Sequence, residues 1–250
     1  CQATIHPRPA RVAAAGELAW DVHLPLTRLG PASVDGTLNG TERTVSAIAT
    51  GVWDGTAVWV PPVWFDGAVA VGVGGGCALG GLLSPFRVGL EARCQVVEGG
   101  LDLALSAASA WLPFFDRDGP WARAGADLSV EGETVTWMAG VYGAYGPETW
   151  WLLPIDTPKG FDDPVDPNTA DGGGSGLRAT RTEAAVAVPL GVGWVVRDGL
   201  VRLLTLGLVV RHPLWADDAR FGDCEGCRAF TATGVDVGTS VALTIGLVGK

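Results

Sequence analysis

Charge and long apolar runs are both scarce in this sequence, and each scarcity excludes a class of protein. Only 18% of the 250 residues are charged, and a mean hydropathy of +0.28 is too apolar for a disordered chain. Yet no stretch reaches the roughly 18 uninterrupted apolar residues of a membrane-spanning helix. The best run, 184–196, stops at Arg197, Asp198 and Gly199. Any membrane crossing would have to be made by strands that satisfy one another's backbone groups in a closed sheet. Basic residues are few as well, 17 Lys and Arg against 27 Asp and Glu, and they are scattered; a net charge of −10 therefore argues against a nucleic-acid partner. No Gly-x-Ser-x-Gly, phosphate loop or metal-ligand cluster stands out, so an enzyme is not expected. What is abundant is Gly, with 37 residues, and Trp, with 11.

Extended segments alternate with a period of two, which sends successive side chains to opposite faces. Over 17–27, Leu18, Trp20, Val22, Leu24 and Leu26 interleave with Glu17, Ala19, Asp21, His23, Pro25 and Thr27. Over 88–96, Val88, Leu90, Ala92, Cys94 and Val96 interleave with Gly89, Glu91, Arg93 and Gln95. Residues 101–111 gather Asp102, Ala104, Ser106, Ala108 and Ala110 on one face, and 121–130 gather Arg123, Asp127 and Ser129. In 134–146, Val135, Trp137, Ala139, Val141 and Tyr145 back onto Thr136, Met138, Gly140 and Tyr142; in 186–196 a valine-rich face backs onto small residues. Weaker runs at 62–73, 77–83, 200–211 and 237–248 bring the total to about ten strands. Alternation this long exceeds the five or six residues usual in globular strands. The expected fold is all-β, a closed antiparallel up-and-down transmembrane β-barrel. A soluble barrel or sandwich with its apolar faces turned inward is the alternative.

Residues 63–97 (VWFDGAVAVGVGGGCALGGLLSPFRVGLEARCQVV), 122–146 and 183–208 resemble strand–turn–strand segments of small bacterial outer-membrane β-barrel proteins. The resemblance implies a bacterial outer membrane, membrane lipid as the immediate partner, and other envelope or surface proteins as partners of the loops. One departure is the end of the chain: such barrels usually close on an aromatic residue, whereas this one closes on Leu247, Val248, Gly249 and Lys250. The start, with no initiator Met and with Cys1 followed by Gln2, resembles a mature lipoprotein. Cys1 is then expected to carry lipid, with no other cofactor; a terminal Cys that is disulfide-bonded or idle is the alternative.

Connection lengths fit the same picture, because transmembrane barrels join strands by short turns at the periplasmic end and longer loops outside. Short Gly-bearing turns fall at 74–76, 98–100, 131–133 and 197–199. Longer connections fall between them at 30–61, 113–120, 147–180 and 213–234, with one short exception at 84–87; 30–61, 147–180 and 213–234 become the long extracellular loops. Residues 1–16 read as a periplasmic, lipid-anchored segment and 17–250 as the barrel, with both termini periplasmic. Aromatic rings are expected in two belts at the membrane boundaries. Trp20, Trp137 and Trp194 fall at the periplasmic level, and Trp64, Trp111, Trp121, Tyr145 and Trp151 at the outer one.

Inside the barrel, Glu17, Asp21, His23, Glu91, Arg93, Asp102, Arg123 and Asp127 are expected to form a polar network across a lumen narrow enough for side chains to fill. Pairing across the 84–87 turn sets Cys77 opposite Cys94, Leu79 opposite Ala92 and Gly81 opposite Leu90. Cys224 and Cys227 have a spacing shared by zinc, redox and small disulfide loops, and the disulfide suits an exported chain. Asp162, Asp163, Asp166, Asn168 and Asp171 offer oxygen donors to calcium, but they match no loop pattern and read as a solvated acidic segment. His212, near Asp217 and Asp218, is the residue on which a hydrolase at the barrel rim would depend. The expected role is non-enzymatic, structural or partner-binding through the outer loops, with a narrow pore as the alternative.

Overall fold

The computed structural model describes residues 5–38, 40–50, 65–84, 87–111, 120–154, 177–196, 199–222 and 230–250. They form thirteen strands: β1 (Leu18–Leu38), β2 (Thr41–Thr50), β3 (Asp66–Gly74), β4 (Cys77–Ser84), β5 (Arg87–Val97), β6 (Asp102–Trp111), β7 (Trp121–Glu131), β8 (Val135–Pro154), β9 (Leu177–Val195), β10 (Val201–Ala216), β11 (Arg220–Phe221), β12 (Phe230–Val237) and β13 (Ser240–Gly249). Ten of them close a barrel. From β1 the order is β3, β4, β5, β6, β7, β8, β9, β10, β13 and back to β1, with antiparallel neighbours throughout. Closure leaves no open barrel edge, which is what a bilayer requires of a sheet.

The greasy side of each strand faces outward. Leu90 is 73% exposed and Trp137 65%, while their strand neighbours Glu91, Thr136 and Met138 are buried. On β6, Asp102, Ala104, Ser106, Ala108 and Ala110 all face in. Apolar side chains outside and small or charged ones inside form the pattern of a transmembrane barrel and the inverse of a soluble one. Cys77 and Cys94 pair across β4 and β5 in the expected register and form a disulfide. The turn beside it runs through Gly74, Gly75 and Gly76, all at positive φ, a conformation that Gly adopts without strain.

The connections expected as long loops are partly sheet. β1 continues past residue 30 to Leu38, β8 past residue 147 to Pro154, and β9 begins at Leu177. β2 is inserted above β3, pairing β1 on one side and the upper end of β8 on the other. β12 pairs the opposite edge of upper β1, and β11 pairs the first residues of β9, past the end of β10. The barrel thus has a low wall, β3 to β7, and a tall wall that rises above it. Inside the tall wall, Val34, Val45, Ala47, Ala49, Trp150, Leu152, Leu177, Ala179, Phe230 and Val237 form an apolar core. Water on both sides would leave these strands no reason to hold; burying that core against itself supplies one.

Candidate functional site in the barrel lumen

The lumen is filled from below by the chain itself. Ile5, His6, Arg8 and Ala10 are 4%, 2%, 3% and 0% exposed. Residues expected as part of a periplasmic segment, 1–16, therefore lie inside the barrel from position 5 to position 10. The segment enters at the turn end, where Gly16 N–H donates to Gly72 O (2.8 Å) and Val12 N–H to Gln95 Oε1 (3.2 Å). Deeper in, Ala10 N–H donates to Ser129 Oγ (2.8 Å), and Arg93 donates to the Pro9 carbonyl. Pro7 lies over Gly191 and Gly207, where a Cβ would strike its ring. Pro7 and Pro9 suit a site away from water, because proline has no N–H to leave unpaired.

Two charge clusters stack above one another. In the lower one, Glu91 accepts Arg8 through both oxygens (2.8 and 2.6 Å) and Arg123 through Oε1 (2.7 Å). Arg8 also donates to Asp21 Oδ1 (3.1 Å) and to His6 Nε2 (2.7 Å). Arg93 pairs with Asp127 (2.9 Å), which also accepts the Tyr142 hydroxyl (2.6 Å). Three guanidiniums thus face three carboxylates, the balance a low-dielectric lumen demands. Above them Ile5 packs against Tyr142, Ala144, Ala187 and Val209.

The upper cluster joins Arg28, Arg211 and Arg181 to Glu148 and Glu183. Glu148 accepts Arg28 (3.1 Å) and Arg211 (2.7 Å), while Glu183 pairs with Arg211 (2.9 Å) and Arg181 (3.1 Å). The Arg28 guanidinium lies 3.7 Å from the Trp150 ring centroid, a cation–π contact that ties this cluster to the apolar core above it. The inner face of β8 records the sequence of layers: Met138, Tyr142 and Ala144, then Glu148, then Trp150 and Leu152. Plug, charge, apolar layer, charge and apolar cap follow one another along the axis.

Seven of the eight expected network residues are inside the wall, and two pairs of them are in direct contact, Glu91 with Arg123 and Arg93 with Asp127; Arg8 joins Asp21 to the first pair, and Tyr142 lies between the two. His23 is buried among them, with its ring stacked on His6. Asp102 is buried but closes the turn below β6, accepting Gly99 N–H and Gln95 Nε2. Glu17 is outside the network: it is exposed at the rim, and the Ala14 N–H and then the Lys250 ammonium at 3.4 Å hold its carboxyl below the usual range. His6, Arg8, Arg28, Glu148, Arg181, Glu183 and Arg211 complete the two clusters beyond what alternation revealed, together with Tyr142, whose inward parity alternation does give. His6 and Arg8 lie on the segment read as anchor and Glu148 on one read as a loop.

Of the aromatic residues, Trp111, Trp137, Tyr145 and Trp194 are exposed outside, and Trp20 and Trp151 are half-buried. Trp121 is a correction. It is 3% exposed and packs inward on Ala108 and Ala110, because it shares the parity of Arg123 rather than that of the lipid face. His212 pairs with Thr239 (2.9 Å) and Asp217 accepts Thr182 N–H (2.6 Å), so these two are not joined as a catalytic pair. Cys1, Trp64, the acidic run from Asp162 to Asp171, Cys224 and Cys227 lie outside the described residues.

No protein-family model and no curated protein matches the chain. Among solved structures, Neisserial surface protein A is 10% identical over 93% of this chain and 96% of its own, with a TM-score of 0.30. Outer membrane protein OprG from Pseudomonas aeruginosa is 11% identical over 94% and 96%, with a TM-score of 0.33. Ail, the attachment invasion locus protein of Yersinia pestis, is 10% identical over 94% and 99%, with a TM-score of 0.26. On its own geometry, the chain is a ten-stranded transmembrane β-barrel whose lumen is occupied by its N-terminal segment, two charge clusters and an apolar cap.

Proposed function

We propose that the protein is a non-enzymatic, non-conducting barrel of a bacterial outer membrane whose work is done at its outer end. The layered filling of the lumen carries this reading. A solute would have to displace the plug at Arg8, cross two clusters of paired charges and then open the core around Trp150 and Leu152. What is left to recognise a partner is the tall wall and the segments it displays, since binding concentrates on loops held by a rigid scaffold. Other envelope or surface proteins are the partners that suit it.

Both termini would face the periplasm in this orientation, and acylation of Cys1 is a separate part of the reading, tested by the mass of the N-terminal peptide. Protease added to intact cells should cut residues of the tall wall or its neighbouring segments and leave the turns at 98–100 and 131–133 untouched. The purified protein in a planar bilayer should give no steady conductance. Stable open-channel steps from the unaltered protein would overturn the non-conducting reading and favour a transport role.

A further inference from the structure

Ion pairing accounts for most of the buried charge in the lumen but leaves two imidazoles unexplained. His23 is 1% exposed, and neither of its ring nitrogens has a hydrogen-bond partner; Nδ1 of His6 has none either. Buried polar atoms are normally paired, so unpaired ones ask for a reason. The two rings are stacked, centroids 3.4 Å apart and planes 24° from parallel. A Cβ at Gly246 would strike the Nδ1 edge of His23, which sets that edge against the wall. The Nε2 edge then faces Asp21, whose Oδ1 lies 3.8 Å from it and 3.4 Å from His6 Nε2. One donor atom from each of His6, Asp21 and His23 falls within 4.8 Å of the others.

We propose that His6, Asp21 and His23 bind a divalent transition-metal ion of the zinc type, which fastens the N-terminal segment to β1 inside the lumen. Two imidazole nitrogens and one carboxylate oxygen suit zinc and its neighbours, whereas calcium and magnesium prefer oxygen alone. Donors about 2.0–2.1 Å from a tetrahedral zinc stand about 3.4 Å from one another. The carboxylate already has that spacing from His6; for His23 to join, the stacked rings, 24° from parallel, must tilt apart until both Nε2 lone pairs converge on the ion. The fourth position is left to water.

Arg8 is the resident competitor. Its Nε donates to His6 Nε2 (2.7 Å) and its Nη2 to Asp21 (3.1 Å), so the guanidinium now satisfies two atoms the metal would take. Its two contacts with Glu91 survive if it turns away from them. Because one ligand comes from the plug and two from the wall, metal binding and plug retention are linked: each favours the other.

Metal-stripped protein in detergent, dialysed against zinc and then analysed for metal, tests this directly. The expected result is one equivalent per chain, with affinity reduced at least about tenfold by His6→Ala and by His23→Ala. Arg8→Met, which frees His6 Nε2 without removing a ligand, should bind as tightly or more so. His6 is on the plug, so His6→Ala leaves the ten-stranded wall complete, and heat-dependent gel mobility checks that it does. Cobalt should give the visible bands of a four-coordinate site in the parent and lose them in His23→Ala. Zinc should also slow hydrogen exchange at residues 5, 6, 8 and 10. Substoichiometric zinc in the parent, or binding that survives both histidine substitutions, overturns the proposal. None of these measurements depends on which membrane the barrel occupies or on whether it conducts.

Discussion

Glu91 is the pivot of the lower cluster, because two guanidiniums, Arg8 and Arg123, meet on one carboxylate. Removing one member of a buried pair leaves the other charge uncompensated, at a cost of about 3–5 kcal/mol. Glu91→Ala should therefore destabilise the barrel by that order, read as the shift in its urea unfolding midpoint in lipid vesicles. Arg8→Ala should cost less. It leaves Glu91 still bound to Arg123, and Asp21, at 15% side-chain exposure, retains some access to water. Equal losses from the two variants would mean that the plug, rather than the pivot, carries the cluster. At the rim, Lys250→Ala should raise the Glu17 carboxyl only part of the way to its ordinary value, since the Ala14 N–H is the larger cause of its depression. Proton titration by NMR reads that shift.

Strands are the scale at which the lipid face can be tested. Leu90, two residues from the middle of β5 and 73% exposed, would tolerate Arg on a water-facing surface. Facing acyl chains near the bilayer midplane, Leu90→Arg should cost about 2–4 kcal/mol, measured by the same unfolding in vesicles. A change near zero would return the barrel to water. All ten barrel strands were legible in the sequence, along with the inner and outer faces of the six most regular and the Cys77–Cys94 register, because period two and short Gly turns are local signals. The tall wall was not legible. β2 begins with Thr41, Glu42, Arg43 and Thr44, all exposed, and its buried residues are Val45 and small ones, so alternation contrast is weak there. Its pairing with β8 joins residues about a hundred positions apart, which no local pattern encodes. Trp121 was misplaced because its level on the strand was weighed ahead of its parity. The plug was missed for a related reason: a proline-bearing segment with no period reads as a tether, and only the glycines at 191 and 207 hinted that something must fit against the inner wall.

Sealing is a property of the whole molecule, and it is redundant. The N-terminal segment closes the turn end, and the core around Trp150, Leu152 and Phe230 closes the outer end. Between them stand Arg28, Glu148, Arg211 and Glu183, which do not depend on the plug for their contacts. Deleting residues 1–13 should therefore leave the barrel folded and still silent in a planar bilayer. The deletion exposes Glu91 and Arg123 to water, which solvates them and softens the loss of Arg8. Adding Trp150→Ala then removes both the largest side chain of the cap and the ring under Arg28, letting water meet the upper cluster from above. That doubly altered protein should conduct, with small ion-selective steps set by the remaining charges, whereas Trp150→Ala alone should stay silent behind an intact plug. Conductance from the simple deletion would show that the cap is no barrier, and the lumen would then be closed by the N-terminal segment alone.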